Sequence, residues 1–305
     1  MLSLDDERWQ RLGANGPRTC NFLRTLAATV VAMSSPAEAG ARNHFFSRWR
    51  PRREPTWDEV WTEVHHFLIH QGTIYPVTIA ALPHLAALLP RAGAEGRLDI
   101  LLLAGWVATA WAGGELVGPE PSDLLADFHA AISQVRTESL GILHGDIARG
   151  KFTLPYALQA FAAVRHPLSA TAWSLQGLVE DDCELDFSCV SCGVDGVVSL
   201  ADRPTCIVLN RGDVISFAAG LPQREMDATA LARGRTILGS NARDPEWPLA
   251  ATPDVLAALA EELGDTGLAR RILDLRTGMK CLACQSEMSL LAGVARGAGL
   301  PSAEG

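Results

Sequence analysis

Apolar residues recur at helical spacing through about the first 180 positions and switch to strict alternation just beyond them. Trp57, Val60, Trp61, Val64, Phe67 and Leu68 fall on one helical face, with Asp58, Glu59 and Glu63 between them. Thr56 stands where an N-cap belongs, and Glu59 three residues on completes a capping box. Gly72 ends that run. A second apolar segment follows over 74–89 with Pro83 inside it, which predicts a kink or a boundary. Further helical candidates are 21–33, 97–112, 122–143, 154–164 and 170–179, with Gly or Pro in each gap. Helices of about 12–20 residues joined by short turns suit stacked helical pairs.

Near Asp182 the period changes. The run 184–188 alternates, and 194–200 is rich in β-formers. Two more strand candidates, 205–209 and 214–217, flank the turn sequence Asn210-Arg211-Gly212-Asp213. After a polar linker over 224–248, helices return at 253–263 (capped by Thr252), 267–275 and 288–295. The small, polar tail 297–305 reads as frayed. The organisation expected is a helical-repeat domain over 1–180, a β-hairpin knuckle region over 181–220 and C-terminal helices over 221–305. The fold class expected is mainly α: a HEAT-like α-solenoid with a small β insertion, which the C-x-x-C at 189–192 inside it marks as a zinc ribbon.

Cysteine spacing carries the strongest chemical signal. Cys189 and Cys192 form one C-x-x-C and Cys281 and Cys284 another, about ninety residues later. Zn²⁺ takes four tetrahedral ligands, and C-x-x-C lets two thiolates on one turn face the same ion. The turn after the first Cys offers backbone N–H groups to the sulfurs, and Gly193 after the second permits the tight conformation. Gln285, at the equivalent place in the second pair, fits it less well. Phe187 and Val197 lie on strands flanking the first pair, as a ribbon needs. A four-cysteine site is closed, with no open position for water, so the zinc expected here is structural. It also requires the C-terminal helices to fold back onto the hairpin. Two competing readings are two unrelated thiol pairs and a redox C-x-x-C; the latter lacks the βαβ context it needs. Cys20, Cys183 and Cys206 are left over.

Charge and composition narrow the functional classes. The 305 residues are 48% hydrophobic and 20% charged, a balance that excludes disorder for the bulk of the chain. The apolar run 100–111 falls short of the roughly 18 residues a bilayer span needs. Asp5, Asp6 and Glu7 stand where a signal peptide carries positive charge, so a cytoplasmic, reducing compartment is expected, where such thiol pairs bind metal. Asp and Glu number 35 against 26 Lys and Arg, a net −9 that argues against general nucleic-acid binding.

The remaining clusters have bland readings beside their sharp ones. His65, His66 and His70 share a predicted helix, and His66 and His70 stand at metal-binding i, i+4 spacing. The Glu of H-E-x-x-H is missing, and packing near the helix end explains them equally. Arg48, Arg50, Arg52 and Arg53 beside Phe45, Phe46 and Trp49 could stack on bases and hold phosphates; a solvated loop is the alternative. Glu180, Asp181, Asp182 and Glu184 read as a helix end and strand entrance. Trp106 and Trp111 read as helix core. No nucleotide-binding glycine loop or nucleophile elbow is present, so no catalytic residue is assigned.

Several motifs resemble a family. Asp5-Asp6-Glu7-Arg8-Trp9 with Leu12, Trp57-Asp58-Glu59-Val60-Trp61, His70-Gln71-Gly72-Thr73-Ile74-Tyr75 and Ala80-Ala81-Leu82-Pro83-His84-Leu85 resemble a group of bacterial HEAT-repeat-like proteins. That group also carries two C-P-x-C-G knuckles. Here Val190 and Leu282 replace the Pro, Gln285 replaces the Gly, and an Arg-rich insertion precedes Trp57, while the four cysteines remain. Bacterial helical-repeat proteins include immunity proteins, so the resemblance implies binding rather than catalysis. The function expected is a cytoplasmic protein-binding scaffold, an immunity protein against a toxin being the type implied. An acidic chain suits a basic partner such as a nuclease toxin. The alternative is a helical-repeat DNA-binding or DNA-glycosylase-like enzyme using the stretch from Arg48 to Arg53.

Overall fold

The computed structural model describes residues 1–13, 15–34, 56–70, 72–146, 154–178, 184–200, 205–209, 219–220, 227–241, 251–281 and 283–300. The chain is mainly helical, with small antiparallel sheets. It divides into two compact units, Met1–Val135 with 148–150 and Arg136–Ile147 with 151–305. The division falls within one helix, α5 (Leu125–Asp146).

The first unit contains α1 (Gly16–Ser34), α2 (Trp57–Leu68), a hairpin of β1 (Ile69–His70) and β2 (Thr73–Ile74), α3 (Pro76–Leu88) and α4 (Ala94–Ala112). The capping box forms as expected: the Glu59 N–H donates to the Thr56 hydroxyl, and the Thr56 N–H donates to the Glu59 carboxylate. The end of α2 differs from its expected plain break. Gly72, at φ +81°, turns the chain so that Ile69 pairs with Ile74 and His70 with Thr73. Ile74 also bonds the chain after α4, accepting from the Val117 N–H and donating to the Glu115 carbonyl.

Pro83 does not end the helix: α3 continues through it, so of the two expected outcomes the boundary does not occur. Eight of the thirteen α3 residues are buried, and that packing outweighs the hydrogen bond a proline cannot donate. Between α2 and α4, the Trp57 indole donates to the buried Asp99 carboxylate at 2.6 Å. A Cβ at Gly96 would stand 3.0 Å from the Trp57 ring, so a residue without one lets the ring lie flat on α4.

Two histidines give this unit a pH dependence. Burial holds His65, stacked edge-on against Trp106, below its ordinary 6.5. Burial also lowers His84, outweighing its hydrogen bond with the Leu2 carbonyl. Both rings favour the neutral form when folded, so below pH 6.5 the unfolded chain binds more protons than the folded one. Stability from these groups is therefore present above that pH and falls as pH drops toward the depressed folded values. The urea midpoint followed by Trp fluorescence should be lower at about pH 5.5 than at about pH 7.5. Equal midpoints would contradict this account.

The second unit contains α6 (Leu154–Arg165), α7 (Ala170–Gly177), strands β3 (Glu184–Ser188), β4 (Asp195–Ser199), β5 (Thr205–Leu209) and β6 (Ala219–Gly220), then α8 (Ala228–Asn241), α9 (Pro253–Glu262) and α10 (Thr266–Asp274). A hairpin of β7 (Gly278–Lys280) and β8 (Glu287–Ser289) and the helix α11 (Leu290–Gly297) complete it. The strands β3 to β6 form an antiparallel meander in chain order. The expected strand at 214–217 lies outside the described residues. The expected helix over 288–295 begins instead as β8, where Met288 pairs with Met279.

Helix α11 folds back against β3. Cβ atoms at Gly293 and Gly297 would lie 3.3 Å from the Phe187 side chain and 3.1 Å from its Cα, so two missing side chains make room for the strand. Phe187 is 1% exposed beneath it. Asp254 on α9 holds the approach to the last hairpin, pairing with Arg233 of α8 at 3.2 Å and with Arg276 just before β7 at 2.8 Å.

Candidate metal centre

Two hairpins each present a cysteine pair at their turn. The β3–β4 turn carries Cys189 and Cys192, and the β7–β8 turn carries Cys281 and Cys284. Their backbones repeat one another. The Cys189 N–H donates to the Val194 carbonyl and the Gly193 N–H to the Cys189 carbonyl, at 2.8 and 2.9 Å. In the second turn the Cys281 N–H donates to Ser286 and the Gln285 N–H to Cys281, at 2.9 and 2.8 Å. The residue after each second cysteine is left-handed: Gly193 at φ +72° and Gln285 at φ 60°.

The sulfurs converge. All four lie within 4.8 Å of one another, and Cys189–Cys284 and Cys192–Cys281 are each 3.7 Å apart. An ion with four tetrahedral metal–sulfur bonds of about 2.3 Å keeps its sulfurs about 3.8 Å apart. A disulfide needs about 2.05 Å. The two contacts exclude disulfides and suit ligands around one ion, so the four cysteines could hold a metal. Among the described residues no other group of three or more His, Cys, Asp and Glu side chains is arranged to do so.

The surroundings draw the thiols in opposite directions. The Ser286 hydroxyl, 3.3 Å from the sulfur, and the Ser286 N–H hold Cys284 down at about 6. At Cys192 the Val194 N–H favours the thiolate, but partial desolvation and the three neighbouring thiols push it up to about 12. Cys189 is lowered: burial opposes this, and the Cys192 and Ser191 N–H groups prevail. Cys281 is raised, chiefly by burial. Four adjacent thiolates repel, so without a cation some keep their protons. A divalent cation at the centre removes that conflict.

Arg296 of α11 was not legible as a site residue. Its guanidinium donates to the Val190 carbonyl at 2.6 Å inside the first knuckle, 106 residues away in the chain. No motif marks such a residue; only the fold-back of α11 delivers it. Gln285 is the one non-glycine residue at positive φ among the described residues, where a side chain costs roughly 1 kcal/mol. Gln285→Gly should therefore raise the stability of the metal-loaded second unit by about 0.5–1 kcal/mol. Thermal unfolding checks this, and a lowered midpoint would count against it.

The other candidates lie apart. The Cys20 thiol, buried in the first unit, donates to the Leu4 carbonyl. His65 packs on Trp106, while His66 and His70 are exposed. Trp106 and Trp111 are half-buried, the latter against Phe128 and His129. Arg48 to Arg53, Glu180 to Cys183 and the side chain of Cys206 lie outside the described residues. No described helix is long and apolar enough to cross a membrane. Compared with models of protein families, with curated proteins and with solved structures, the chain gives no match.

Proposed function

We propose that the protein is a binding scaffold of the HEAT-like solenoid type whose second unit is locked by a structural zinc ion. The observation that carries this reading is the closed set of four sulfurs. All four positions around the ion are taken by Cys189, Cys192, Cys281 and Cys284, which leaves none for a substrate or a water. Zinc suits an all-thiolate tetrahedral set and adds no redox chemistry of its own. Four thiolates and Zn²⁺ carry a net −2, and the Arg296 guanidinium bonded to the same knuckle offsets part of it.

The partner that fits is a basic protein, such as a nuclease toxin neutralised in the manner of an immunity protein. Support comes from the net charge of −9 and from the resemblance to helical-repeat proteins set out above. Electrostatic attraction of this kind speeds association and is screened by salt. Capture on the zinc-loaded protein should retain a basic protein whose association rate falls as ionic strength rises. A labelled DNA duplex should not bind in physiological salt. Retention of duplex that is lost when Arg48, Arg50, Arg52 and Arg53 are all neutralised would replace this reading with the glycosylase-like one.

A further inference from the structure

In each knuckle the first cysteine is enclosed and the second is open. Cys189 and Cys281 are 0% exposed, whereas Cys192 and Cys284 face solvent. The 3.7 Å contacts run between the hairpins, and each joins an exposed sulfur to a buried one: Cys284 to Cys189, and Cys192 to Cys281. Each outer sulfur thus has a partner about 1.7 Å short of disulfide distance on the opposite hairpin. Within the first knuckle the Cys192 N–H donates to the Cys189 sulfur at 3.5 Å, while the 3.7 Å sulfur–sulfur contacts run across to the other hairpin. Solvent access decides which of the four sulfurs an oxidant meets first, and only Cys192 and Cys284 offer it.

The geometry points to Cys192 and Cys284 as a modification site for a hydroperoxide, whose action releases the ion and leaves the two hairpins joined by Cys189–Cys284 and Cys192–Cys281 disulfides. This rests on the four-thiolate reading above. The Cys284 sulfur attacks one peroxide oxygen; an S–O bond forms, the O–O bond breaks, and the departing hydroxide takes a proton to become water. The Cys189 thiolate then attacks the resulting sulfenic acid. An S–S bond forms, the S–O bond breaks, and the second hydroxide also leaves as water after taking a proton. Two electrons pass from sulfur to peroxide. Cys192 and Cys281 repeat the sequence, so four thiolates, two peroxides and four protons yield two disulfides and four waters. The divalent ion leaves with its charge unchanged, because its ligands are gone. The hairpins stay stapled across the gap.

The test uses the full, reduced, zinc-loaded chain, with its zinc content measured first. Hydrogen peroxide is added, free zinc is followed with a pyridylazoresorcinol dye, and disulfides are mapped by mass spectrometry without reduction. About one zinc per chain should appear for about two peroxides consumed. Both cross-hairpin disulfides should be found, and dithiothreitol should restore zinc binding. Early dimedone adducts should fall on Cys284 or Cys192. Zinc that stays bound, or disulfides within the C-x-x-C pairs, would overturn the inference while leaving the zinc reading intact. Protein with no zinc before peroxide is added would overturn both, and the first measurement tells the two failures apart.

Discussion

Replacing Cys281 by Ser should strip the metal and loosen the second unit beyond about residue 184, while the first unit keeps its fold. The β7–β8 hairpin has three residues in each strand and cannot hold itself in water. The proposed centre would tie its turn through sulfur to the β3–β4 turn, beyond the anchoring of Arg276 by Asp254. Binding of structural zinc contributes on the order of 10 kcal/mol to folding in small peptides. An ion held by the four sulfurs would couple chain segments 89 residues apart, Cys192 to Cys281, so its loss would free both hairpin ends. Limited proteolysis read by mass spectrometry should show new cleavages around 184–200 and 278–300. The Met1–Val135 core should stay protected. A chelator should reproduce the pattern in the unaltered protein. Unchanged protection of the second unit after proven metal loss would contradict the account.

Phe187→Ala should have the next largest effect, costing about 3–5 kcal/mol of stability in the second unit. Its ring is buried where Gly293 and Gly297 bring α11 against β3, and the strand leads directly into Cys189. Removing the ring opens a cavity beneath α11. The Arg296 bond to the Val190 carbonyl then loses its support, so zinc affinity should fall as well. Urea unfolding and zinc competition on the same variant give both numbers. A stability loss within 1 kcal/mol of zero would show that α11 does not depend on this contact.

What could be read in advance was local. The Thr56–Glu59 capping box and the C-x-x-C pairs are chemistry within four residues, and both take the expected form. The β1–β2 and β7–β8 hairpins were missed because strands of two or three residues are too short for a period to register. At Pro83 the expected boundary is absent because propensity acts locally, while burial over the whole of α3 carries the helix through it. Spacing named the four cysteines, but their meeting depends on α11 folding back over Phe187. The clue to that contact was the i, i+4 pair Gly293 and Gly297, which has no meaning until its partner strand is known. Arg296 belongs to the same class of long-range consequence.

The most direct test of the central claim is X-ray absorption at the zinc edge of the protein as purified. One shell of four sulfurs at about 2.3 Å is expected, with metal analysis giving about one zinc per chain. A shell containing nitrogen or oxygen ligands, or protein without bound metal when zinc is supplied, would contradict the closed four-thiolate centre.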